Sequence, residues 1–199
     1  MAEFNAKQLL DSLTKDEVIK DVIRDTAFQP WGSLQIQYPN GQAVENGNLF
    51  KPVDTKPRPT IKFQLTDSSK TIKETDLFTL IMTDPDAPSR TNNFLSEICH
   101  LVQTDIKLNT SGEPTEIKEV AEKVLMPYLP CGPPEGTGKH RYIFLLYKQS
   151  EKVPSTNFTP VKDKFKWGFD VVGEGAFKWA NENELTLIAA NYFQAQYFP

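Results

Sequence analysis

Two histidines occur in this 199-residue chain, and each stands beside a loop of unusual composition. His100 follows the segment Thr83-Asp84-Pro85-Asp86-Ala87-Pro88-Ser89-Arg90. His140 closes the segment Cys131-Gly132-Pro133-Pro134-Glu135-Gly136-Thr137-Gly138-Lys139-His140-Arg141-Tyr142. An imidazole donates from either ring nitrogen and becomes a cation near neutral pH. A neighbouring carboxylate fixes its tautomer and raises its affinity for a proton. Glycines let backbone N–H groups close on an anion, and prolines hold a loop that has little entropy left to lose. Asp84, His100 and His140 are therefore the candidate groups of a small anion site, with Asp86 beside them. Each motif also has a purely structural reading. Asp-Pro-Asp-Ala-Pro makes a rigid turn by itself, and Gly136-x-Gly138 is too short to be a nucleotide fingerprint. The pairing of two such clusters, each with a histidine next to a strand, favours a site. Ala87–Pro88 is a candidate cis bond in the first turn.

Such loops need a rigid frame. Residues 1–30 read as a helical extension: Asn5-Ala6-Lys7-Gln8 fits a capping box before Leu9, Leu10 and Leu13, and Thr14-Lys15-Asp16-Glu17 fits a second one before Val18, Ile19, Val22 and Ile23. Beyond Pro30 the rhythm changes to period two. Leu34, Ile36 and Tyr38 alternate with polar residues up to Pro39-Asn40-Gly41, and Ile61, Phe63 and Leu65 alternate likewise. Residues 77–82 form a continuous apolar run, the pattern of a strand covered on both faces. Residues 99–104, 142–148 and 185–193 predict further strands, and 116–124 and 176–181 short helices. The polar stretch 107–122 reads as an inserted surface loop. The sum is a mainly β domain over 31–199, of sandwich or barrel type with peripheral helices, carrying the 1–30 extension as part of a single domain. Alternation along the fourth strand turns Cys99 inward when His100 faces a pocket.

Composition excludes several classes. Net charge is -4 with 24% charged residues, which argues against a nucleic-acid surface. No apolar run reaches membrane-spanning length, and the first residues lack a secretory pattern, so the expected compartment is the cytoplasm. Two cysteines make no disulfide framework. Two histidines forty positions apart lack the compact spacing of a structural zinc site, and no Gly-x-Ser-x-Gly elbow is present. No cofactor, no metal and no catalytic reaction is expected.

The two histidine motifs together resemble the signature regions of the phosphatidylethanolamine-binding protein family, and the likeness runs over residues 28–193. The resemblance implies a sandwich-like fold with a large central sheet packed on a smaller one. It implies a pocket of Asp84, Pro88, His100, Gly132, Pro133, His140 and Tyr142 for phosphate-like anions or phospholipid head groups. Residues 25–30 and 178–183 are most similar to the fungal branch. That likeness implies inhibition of a serine carboxypeptidase of the carboxypeptidase Y type, in the cytoplasm or in association with the vacuole. Where animal members carry a Tyr and a Trp, this chain has Leu95 and Ile98, and it ends at Pro199 without an aromatic C-terminal helix. Loss of those rings weakens the grip on an ethanolamine cation.

Met1, Ala2, Glu3 and Phe4 form a short, partly apolar terminus ahead of the first cap, suited to enter an enzyme cleft. The same Phe4 can instead staple the first helix to the body. The alternative function is a signalling modulator that binds kinase or GTPase-regulating partners through the anion pocket.

Overall fold

A computed structural model describes residues 4–199. In chain order its elements are α1 (Ala6–Lys15), a π-helical turn (Ile19–Ile23), β1 (Gly32–Gln37), β2 (Leu49–Phe50), β3 (Thr60–Leu65), β4 (Phe78–Asp84), β5 (Ile98–Ile106), β6 (Thr115–Glu116), β7 (Val124–Met126), β8 (His140–Lys148), α2 (Ala176–Glu182) and β9 (Thr186–Ala195), with short 3-10 turns between them. Two sheets carry the strands: β1-β3-β6, and β2-β9-β8-β4-β5-β7. All neighbours pair antiparallel except β2 with β9. This is the expected mainly β architecture of a large sheet on a smaller one.

The sequence patterns explain the layering. In β1 the apolar Leu34 and Ile36 are buried, while Ser33, Gln35 and Gln37 face away, as a half-covered sheet requires. In the central strands β4 and β8 almost every residue is buried, because each face meets a different core. Leu80, Met82, Tyr142, Phe144 and Leu146 point between the sheets, where Phe50, Phe63 and Phe193 lie. Ile81, Ile143 and Leu145 point the other way, under α1, the π turn and α2 with Trp167 and Trp179. Fully burying one such side chain stabilises by about 1.5–3 kcal/mol.

The N-terminal extension starts as its sequence suggests. The Gln8 backbone N–H donates to Asn5 Oδ1 at 3.0 Å, the capping bond that stops the first turn fraying. Leu9 and Leu13 bury the inner face. The second expected cap is not one. Thr14 Oγ1 donates back to the Leu10 carbonyl within α1, and Glu17 adopts φ 59, which breaks the helix there. Beyond this break the chain makes one π turn that ends on Arg24 at φ 55. The expected helix over 116–124 is also absent. This stretch contains the end of β6, a 3-10 turn and the start of β7, because neighbouring strands take up its backbone: Ile117 N–H donates to the Ile61 carbonyl, and Gln103 Nε2 to the Lys118 carbonyl. Tertiary pairing overrides a helical pattern this short. Among the described residues no helix is long and apolar enough to cross a membrane.

Candidate functional site

Three adjacent strands gather the two histidine motifs. The order β8-β4-β5 puts β4 between the strands that carry His140 and His100. Asp84 ends β4 and His140 begins β8, so both sit at one rim of the large sheet. His100 reaches the same rim through a β-bulge. Met82 pairs with Leu101 and Thr83 with Cys99, which leaves His100 as the extra residue of β5. The bulge turns His100 toward Tyr142, whose ring lies edge-on to it at 5.2 Å between centroids. On another side of Tyr142 the His140 ring lies nearly parallel, at 6.4 Å. Two histidines distant in sequence thus flank one tyrosine, while Cys99 points into the opposite core.

Each imidazole is anchored through Nδ1, but to different partners. His140 Nδ1 lies 2.9 Å from Asp84 Oδ2, and both side chains are almost fully buried. The other Asp84 oxygen accepts the Asp86 N–H at 2.7 Å, which fixes the turn. His100 Nδ1 lies 2.8 Å from the Leu129 carbonyl, and Leu129 N–H donates to the His100 carbonyl in return.

Counting donors and acceptors assigns the protons. Thr137 Oγ1 donates its one hydrogen to the Pro134 carbonyl at 2.7 Å, so at 3.0 Å from His140 Nε2 it can only accept. His140 therefore donates from Nε2 to Thr137 and from Nδ1 to the Asp84 carboxylate, which makes it an imidazolium. The electrostatics agree. Burial acts to lower the His140 pKa, but the hydrogen bond and charge of Asp84, helped by Asp86 and the Pro88 carbonyl, raise it above its usual 6.5. His100 is moved the other way: burial lowers its pKa, and the distance-weakened charge of Asp84 does not offset this. A neutral His100 that donates Nδ1–H to a carbonyl carries its lone pair on Nε2. That nitrogen has no hydrogen-bond partner among the described residues.

The other expected site residues divide. Tyr142 lies buried between the two rings, its phenol pushed well above its ordinary value by burial and by the charge of Asp84. Pro88 is half-buried after a cis Ala87–Pro88 bond, Pro133 is buried, and Gly132 is exposed with open space where a Cβ would stand. Asp86, expected beside the anion, commits both oxygens to Arg141, accepting from Nε at 2.9 Å, from Nη2 at 2.7 Å and from the backbone N–H at 2.8 Å. It faces away from the histidines because alternation along β8 sends Arg141 to the face opposite His140. Cys131 hydrogen-bonds Thr55 Oγ1 at 2.8 Å, and burial pushes its thiol up to about 12, which leaves it unreactive. Sequence reasoning missed Thr137; its place between two glycines at φ 77 inside the histidine loop was the available signal. Of the expected inhibitory terminus, Met1, Ala2 and Glu3 lie outside the described residues. Phe4 is partly buried and packs against the core beneath α1.

Comparison with known proteins supplies the context. The model of the family described as "Phosphatidylethanolamine-binding protein" matches residues 35–193. The carboxypeptidase Y inhibitor of Saccharomyces cerevisiae is 39% identical over 96% of this chain and 96% of its own length. An uncharacterised protein of the same yeast is 38% identical, over 94% of this chain and 93% of its own. Among solved structures, that of a carboxypeptidase Y inhibitor complexed with its cognate proteinase superimposes with a TM-score of 0.91 at 41% identity, covering 97% of both chains.

Proposed function

The chain belongs to the phosphatidylethanolamine-binding protein family, and from that premise we propose that it inhibits a serine carboxypeptidase of the carboxypeptidase Y type. One observation carries this reading. The family model begins at residue 35, after the helical extension, whereas the likeness to the proteinase-bound inhibitor covers 97% of the chain and so takes in most of that extension. The likeness includes the part of the molecule that the family model leaves out.

Residues Met1, Ala2, Glu3 and Phe4 enter the cleft of the protease. The segment behind them is a firm base: Asn5 caps α1, Leu9 and Leu13 bury its inner face, and Tyr192 donates to Asp16 Oδ2 at 2.7 Å. A short terminus held on a rigid helix loses little entropy on binding. The inhibitor works as a binding protein, not as an enzyme. Burial raises the Cys99 thiol well above its ordinary value, which supports that. Both cysteines are free and buried, in keeping with a cytoplasmic protein. Deletion of residues 1–7 tests the mechanism: inhibition of carboxypeptidase Y is expected to be lost while the fold is kept. Full inhibition by the deleted chain sinks it.

The rim of Asp84, His100 and His140 is a separate anion site, for phosphate-like groups or phospholipid head groups. Its donor and acceptor sets suit a singly protonated phosphate. His100 Nε2 accepts from a P–OH, and a phosphate oxygen that displaces Thr137 Oγ1 takes the Nε2–H of His140. A second reading, in which a phosphorylated segment of a kinase or GTPase-regulating protein docks there, rests on the free His100 Nε2. Pull-down with and without His100→Ala separates the two, since a pocket-bound partner is lost and a terminus-bound protease is kept.

A further inference from the structure

We propose that Arg141 couples the anion site to the N-terminal helical segment, so that occupancy of one changes the hold on the other. The inference rests on the proposed function, in which one region binds an anion and the other presents the inhibitory end.

The coupling is built from two acid–base pairs set back to back. His140 and Arg141 are consecutive on β8 and point to opposite faces, and Asp84 at the end of β4 and Asp86 in the turn beyond it meet them one each. Asp84 meets His140 on the pocket side. On the other side Asp86 meets Arg141, whose side chain is 3% exposed. The two acids are tied through the Asp86 N–H on Asp84 Oδ1, at 2.7 Å. The guanidinium reaches further. Nη1 donates to the Asp16 carbonyl at 2.7 Å and pairs with Asp21 Oδ2 at 2.8 Å, and both residues belong to the N-terminal segment. Arg90, from the same pocket turn, adds a bond to the Asp16 carbonyl at 3.1 Å and one to Glu17 at 2.9 Å.

Arg141 therefore uses Nε, Nη1 and Nη2 at once, and its burial leaves it no water to turn to. A planar fork committed on both sides cannot shift toward one without loosening the other. An anion that draws His140 toward itself pulls Asp84, hence the turn and Asp86, hence the guanidinium. The segment that this guanidinium clamps lies at the end of α1 and in the π turn. Affinity linkage makes the effect reciprocal: a protease that engages the N-terminal segment changes phosphate affinity by the same factor.

The test is hydrogen exchange of the full chain with inorganic phosphate, read over residues 6–23. Two proteins are compared, the wild type and Asp21→Asn, which removes the half-exposed leg and leaves the Arg141–Asp86 pair intact. In the wild type, saturating phosphate is expected to change exchange in this segment by roughly fivefold. In Asp21→Asn, phosphate still binds with unchanged affinity to within about twofold, yet the response of residues 6–23 is reduced, with the Arg141–Asp16 bond left as the remaining link. Phosphate that binds the wild type without any effect on the segment overturns the coupling alone. An undiminished response in Asp21→Asn overturns the part given to the Arg141–Asp21 pair. Phosphate that fails to bind removes the anion site, and the coupling with it.

Discussion

His100 and His140 lean on the same tyrosine ring, and their surroundings move their pKa values in opposite directions. Both are buried, and burial alone would strip the proton from each. The difference lies in what meets Nδ1. For His100 it is a backbone carbonyl, a dipole that orients the ring without holding its charge. For His140 it is a carboxylate, which does both. One hollow thus receives a fixed cationic donor and a neutral acceptor from the same residue type, and this asymmetry is what a singly protonated anion can recognise.

Breaking the His140 side gives the largest expected effect. Asp84→Asn leaves a buried imidazolium without its counter-charge, so its proton is lost and the two histidines become alike. Stability below pH 6.5 should fall by about 3–5 kcal/mol, measured by urea unfolding. Linkage sets the sign. A raised folded-state pKa gives His140 a stabilising contribution that is complete below the unfolded value and lost as pH rises through the folded one. The lowered pKa of His100 works the other way, costing stability as pH falls below the unfolded value.

Glu97 sharpens the comparison as a buried carboxyl without a cationic partner at bonding distance. It accepts from Thr83 Oγ1 at 2.8 Å, its Oε1 has no partner, and burial raises its pKa from 4.5 to about 7. Because the folded value is the higher one, stability should decline by roughly 3 kcal/mol as pH rises from 4.5 to 7. Glu97→Gln is expected to flatten that slope in thermal unfolding across this range. An unchanged slope in the variant assigns the titration elsewhere.

Smaller effects probe the pocket itself. His140→Ala should weaken phosphate by roughly 1.5–3 kcal/mol in calorimetry, the scale of a charge-assisted hydrogen bond. Thr137→Val should do the reverse. The Thr137 hydroxyl occupies the His140 Nε2–H that an anion oxygen would take, so its removal is expected to tighten phosphate by about 0.5–1.5 kcal/mol. Weaker binding by Thr137→Val would show the hydroxyl to be part of the ligand shell instead of its competitor.

How much of this was legible in the sequence depends on whether a signal was local. The strands of alternating Leu34 and Ile36, the mostly apolar, fully buried run of β4, the Asn5 cap and the inward Cys99 follow from side-chain period and cap chemistry within a few residues. The joining of Asp84 to His140 was readable only as two odd loops, each beside a strand. Three things were not readable, two because they depend on partners far along the chain and one because the helix breaks within it. The bulge at His100 is set by register with β4, the second cap failed against Glu17 at φ 59, and Asp86 was drawn off by an arginine on the opposite face of β8. The charge of His140 needed the donor count at Thr137, which no spacing reveals.

The most direct test is the long-range proton–nitrogen correlation spectrum of the two imidazoles in the phosphate-free protein at pH 7. The expected result is one ring protonated on both nitrogens, assigned to His140 by its loss in His140→Ala, and one neutral ring carrying its proton on Nδ1. Two neutral rings, or two that titrate together near 6.5, would contradict the opposition on which the anion site is built.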